Sequence, residues 1–162
     1  MKALATLPLL ALLLALGCQY DPHARLYTLE EPQKTNVVGH YTLTSQTVTG
    51  GGLAALSGKV CAVELRADGT FAATNIPPWQ SGFPTTNFFN TLISASGTWR
   101  IASVGSVDDG RKPLKTHWGV ELESPTLRPH PVGLTGSKPP YGLINTLGDP
   151  DSGEAMILER TK

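Results

Sequence analysis

From Val37 to Arg160, apolar residues recur at every second position in short runs, and nearly every run is closed by Gly, Pro or Asp. That period belongs to an extended chain with one face in a core and the other in water. Tyr41 and Leu43 share a face, as do Cys61, Val63 and Leu65. Asp68-Gly69 then signals a tight turn into a run carrying Phe71, the strongest hairpin in the chain. Trp99 pairs in phase with Ile101, and Trp118 with Val120 and Leu122. Tyr141 to Leu147 and Ala155 to Arg160 flank Gly148-Asp149-Pro150-Asp151-Ser152-Gly153, a run built from turn formers. The sequence therefore predicts about seven strands, no helix beyond a short turn near Asn87 to Ser94, and an all-β antiparallel barrel or sandwich. Pro113, Pro125, Pro129, Pro131, Pro139 and Pro140 all fall between the expected strands, as suits a residue without an N–H.

Composition narrows this further. With 17 Gly and 13 Pro in 162 residues, short elements and many turns are expected, and the length suits one domain. Lys plus Arg and Asp plus Glu stand at 13 each, so nothing supports a basic nucleic-acid surface. The eleven apolar residues named above from Tyr41 to Leu122 are the expected core.

The amino terminus has a different pattern. Lys2 precedes Ala3 to Leu16, an almost wholly apolar stretch too short to span a bilayer core of about 30 Å as a helix. Residues 1–17 thus read as a signal peptide. Ala15-Leu16-Gly17-Cys18 resembles a bacterial lipobox, which makes Cys18 the expected acceptor of a diacylglyceryl group. Several acyl chains hold a protein durably where one does not. Gln19, where an Asp would resemble an inner-membrane retention signal, points to the outer membrane of a Gram-negative host, facing the periplasm. Residues 18–36 are polar and aperiodic and read as a lipidated flexible tether reaching about 23 Å, although Tyr27 and Leu29 could begin an edge strand. Residues 37–162 form the single β domain. With Cys18 acylated, Cys61 has no partner within the chain and is expected as a buried free thiol.

Asp68-Gly69-Thr70-Phe71, Gly97-Thr98-Trp99 and the Gly148 to Glu154 run closing on Glu159-Arg160 together resemble a group of small bacterial secreted proteins and lipoproteins. No activity is attached to that group. The strand order and Gly39-His40-Tyr41 also resemble lipocalin-like barrels, which carry Trp where Tyr41 stands. The resemblance implies a fold and supplies no catalytic residues.

Asp149, Asp151 and Glu154 could offer oxygens to calcium, but the order of residues departs from a calcium loop and suits a rigid turn, with Pro150 presetting φ and Gly153 taking a positive φ. His23, His40, His117 and His130 lack zinc spacing. His40 and His117 fall on polar strand faces and are expected in solvent, as are Glu121 and Glu123 on the face of His117. Ser57 and Ser96 are turn serines, and no hydrolase elbow, phosphate loop or redox motif appears. No catalytic residue, metal or cofactor is assigned. Trp79, Phe83, Phe88 and Phe89 crowd a long Pro- and Asn-rich connection, where they either plug the sheet core or form an aromatic mouth over a ligand pocket. The leading expectation is a non-enzymatic, lipid-anchored envelope domain that binds or scaffolds something at the membrane surface, an envelope protein among the possible partners. A lipocalin-like carrier of a small apolar ligand is second, and an envelope hydrolase third.

Overall fold

A computed structural model describes residues 21–48, 56, 58–77, 92–107, 113–127 and 129–161. Among them, eight strands run β1 (Gly39–Gln46), β2 (Ala62–Leu65), β3 (Thr70–Ile76), β4 (Ile93–Val107), β5 (Lys115–Glu123), β6 (His130–Thr135), β7 (Gly142–Thr146) and β8 (Ala155–Thr161). Each is antiparallel to the next, and β8 returns to β1 to close a barrel. The barrel alternative is therefore the correct one, with one strand more than expected.

The additional strand is β6. Its Pro131 made it read as a connection. Pro131 sits opposite Glu121 of β5, while β7 pairs only with Gly133 to Thr135, so the missing N–H opens no gap toward β7.

Alternation works as the sequence implies. Tyr41, Cys61, Val63, Leu65, Phe71, Trp99, Val120 and Leu122 are all buried in one core, joined by Met156 and Leu158 of β8. Leu43 and Ile101 are half-buried against it. Trp118, expected in this core, is only half-buried and lies outside the cluster. Next to it the β5–β6 ladder has already ended at Gly119 opposite Gly133.

Both ends of the interior are closed by side chains. At one end a single helical turn, Lys34–Val37, lays Val37 into the core, and Tyr41 Oη donates to its carbonyl at 2.5 Å. Lys34 Nζ stands 5.1 Å from the Trp99 ring centroid, and Trp99 Nε1 donates to the Arg66 carbonyl at 2.9 Å. From the other connections Leu56, Leu127 and Leu147 are buried in the same cluster.

The segment expected as a flexible tether is instead fixed to the wall from Asp21 onward. Below Gly119 and Gly133 the β5–β6 seam is filled by Thr28. The Trp118 N–H donates to the Thr28 carbonyl at 2.9 Å, and the Thr28 N–H donates to the Leu134 carbonyl at 3.0 Å. Tyr27 bridges to Thr135, and Thr28 Oγ1 donates to the Gly136 carbonyl at 2.7 Å. The alternative that Tyr27 begins an edge pairing is what the structure adopts. The physical reason is unsatisfied backbone: an open seam would leave buried N–H and C=O groups without partners.

Candidate functional site

The wall under this segment holds the candidate site. β4 continues past its pairing with β3 at Thr98 and from there pairs only with β5 as far as Val107. A bulge between Ser103 and Gly105 redirects it. The overhanging end, Val104 to Ser106, borders a groove of about 230 Å³ whose other side is Pro131, Gly133, Ile144 and Thr146. Asp21, Tyr27 and Pro150 border it too, and it reaches His117, His130 and Asn145.

His117 is 8% exposed, not solvated. Its own strand put it on the outer face, as expected, and the cover comes from elsewhere. Tyr27 stacks on the ring with centroids 3.7 Å apart. Beneath it lies Gly133, where any Cβ would come within 2.6 Å of the His117 ring. Burial pushes the His117 pKa down to about 4, against the opposing pull of a hydrogen bond to the Leu134 carbonyl and of the Asp21 charge. The imidazole is thus neutral at pH 7, and Nε2 is buried with no partner among the described residues. With the ring donating to Leu134, Nε2 carries the free lone pair and can only accept. Asn145 Nδ2 is also buried without a partner, while its Oδ1 stands 2.8 Å from His130 Nε2. Burial lowers the His130 pKa as well, with the Asn145 bond opposing.

Asp21 completes the rim. Its Oδ2 accepts from Tyr27 Oη at 2.5 Å and its Oδ1 from the His23 N–H at 2.8 Å. Burial and this carboxylate push the Tyr27 phenol pKa well above its ordinary value. Ser106, His117 and Asp21 share one lining but form no nucleophile relay. The His117 ring bonds a backbone carbonyl where a relay would need a carboxylate, and Nε2 receives no hydroxyl. The groove offers one acceptor, one donor and a carboxylate to a small polar group.

The sites named from sequence are distributed differently. Cys18, Trp79, Phe83, Phe88 and Phe89 lie outside the described residues. Asp149 to Gly153 is the turn the sequence indicates: Asp149 Oδ1 accepts from the Asp151 N–H at 3.1 Å, Pro150 opens one 3₁₀ turn, and Gly153 has φ +67°. Among the described residues no three His, Cys, Asp or Glu side chains cluster closely enough to hold a metal. His40 is exposed on β1, on a strand not adjacent to β5. Glu121 pairs with Arg100, and Glu123 is exposed at the end of β5. Cys61 is buried and free, and burial raises its pKa to about 11. The grouping of Asp21, Tyr27 and His117 had no sequence signature beyond the alternation at Tyr27 and Leu29. No protein-family model, curated protein or solved structure matches the chain.

Proposed function

We propose that this chain is a lipid-anchored envelope protein whose barrel is a non-enzymatic binding or scaffolding domain at the membrane surface. The observation that carries this reading is the filled interior. Phe71, Met156 and Leu158 are buried in one continuous cluster inside the barrel, with Val37 and Trp99 toward one end and Leu56, Leu127 and Leu147 from the connections at the other. A carrier of apolar ligands needs a cavity of several hundred Å³ within the barrel. Among the described residues, buried polar atoms without a partner lie instead at the wall, at His117 Nε2 and Asn145 Nδ2, which favours recognition on the outside. The Cys18 lipobox and the resemblance to small bacterial lipoproteins supply the envelope setting.

Photo-crosslinking in intact cells tests the reading. A crosslinker replacing exposed Pro131, on the groove rim, should give discrete adducts that one replacing exposed Thr44 of β1 does not. Equal adducts from both positions, or an apolar molecule that stays with the purified protein through extraction, would overturn it.

A further inference from the structure

Where the chain leaves its signal and where it joins the barrel are separated by very little. Asp21 is held by Tyr27 Oη and by the His23 N–H, and the His23 ring lies 2.9 Å from the Gly153 carbonyl. From Cys18 to Asp21 there are three Cα–Cα steps, at most about 11 Å. An anchor at Cys18 would therefore give the barrel no long leash. A tether running to residue 36 would have let the domain tumble about 23 Å from the lipid on average.

The surface beside Asp21 has a definite character. Asp21, Ala24, Leu114, Pro150 and Asp151 line one shallow cleft. Leu114 is 54% exposed, one of the few large apolar side chains open to solvent among the described residues. Ser106 and Val107, at one end of β4, line the same cleft, whereas Thr74 of β3 sits beside the other end of that strand, next to the Ala73–Ala95 pair.

We infer that the acylated protein lies with this side against the lipid surface, Asp21, Pro150 and Leu114 facing the headgroups and the Thr74 end of β3 away from it. The inference rests on the lipid-anchor reading of Cys18 and adds an orientation to it. The occupant of this face is the bilayer, because the covalent reach from Cys18 leaves no room for a folded partner between Asp21 and the membrane. Leu114 is placed to dip into the interface.

The test uses the natively processed full chain in phosphatidylcholine vesicles containing a headgroup spin-labelled lipid. A fluorophore is attached at Leu114→Cys or at Thr74→Cys, an exposed position of β3; Cys61 is buried and takes no label. Quenching is expected to be several-fold stronger at 114 than at 74. Inserting about a dozen Gly and Ser residues between Gln19 and Tyr20, a reach of about 19 Å, should erase that difference while the protein stays on the vesicles. Equal quenching, stronger quenching at 74, or a difference that survives the insert would overturn the orientation even with Cys18 acylated. Quenching at neither label would do the same and leave this face to a protein partner. An unmodified Cys18 by mass spectrometry would overturn the anchor itself and the orientation with it.

Discussion

The ring of Tyr27 lies flat on the ring of His117, with centroids 3.7 Å apart and planes inclined by 13°. Ninety positions of chain separate the two residues, yet the pair fixes both the burial of the histidine and the place of the amino-terminal segment. A neutral imidazole stacks on a phenol with little cost, whereas an imidazolium in this site would have lost its water.

Acid should therefore weaken the fold. In the unfolded chain His117 takes up a proton near pH 6.5, and in the folded chain only near pH 4, because it is buried. Between those values the unfolded state binds more protons, so stability is full above about pH 6.5 and falls as pH drops toward 4. The loss is about 2–4 kcal/mol by pH 4, and His130, shifted the same way, adds to it. Urea midpoints for the wild type and His117→Gln at pH 7 and pH 4.5 check this. The wild type should lose more between the two pH values than the variant, and parallel losses would refute the assignment.

The two tryptophans should separate. Trp99 is 4% exposed and bonded through Nε1 to Arg66, so Trp99→Ala should cost about 3–5 kcal/mol. Trp118, half-buried and outside the core, should cost about 1–2 kcal/mol. Denaturant unfolding of both variants gives the comparison, and a larger cost at Trp118 would contradict the burial described.

Much of this fold could be read locally. The Asp68-Gly69 hairpin was legible because its bonds are made within it: Asp68 Oδ1 accepts from the Thr70 N–H at 2.8 Å, and Gly69 has φ +88°. The Asp149 to Gly153 turn was legible for the same reason. What escaped depends on distant chain. Closure into a barrel is decided by β1 meeting β8, at opposite ends of the domain. The burial of His117 is decided by Tyr27, and the role of Thr28 by Trp118 and Leu134. No window of sequence contains both members of these pairs.

The seam residue gives a third prediction. Thr28→Pro removes the N–H that donates to the buried Leu134 carbonyl, leaving that carbonyl only its bond from the His117 ring. The expected loss is about 2–3 kcal/mol, seen as a lower Tm and as faster hydrogen exchange of the Trp118 amide. An unchanged exchange rate at Trp118 would show that the seam holds without Thr28.

Two glycines provide a matched test of the β7–β8 turn. Gly153 has φ +67°, and a Cβ there would come within 2.9 Å of the Pro22 ring. Gly153→Val should cost about 2 kcal/mol or more. At Gly105, where a Cβ meets nothing within 4 Å, alanine should change stability by less than about 0.5 kcal/mol. Thermal melts should show a marked drop for the first and almost none for the second, and calcium should shift neither.

The wall position of Thr28 also sets a timetable. Its hydroxyl partner, Gly136, lies 108 residues further along the chain. At ribosomal rates of about 5–20 residues per second, that interval is about 5 to 20 s. Through all of it the earliest-made stretch of the domain waits unpaired, and the last stave cannot be set until the sixth strand has been made. The stretch nearest the amino terminus of the domain is born first and seated late.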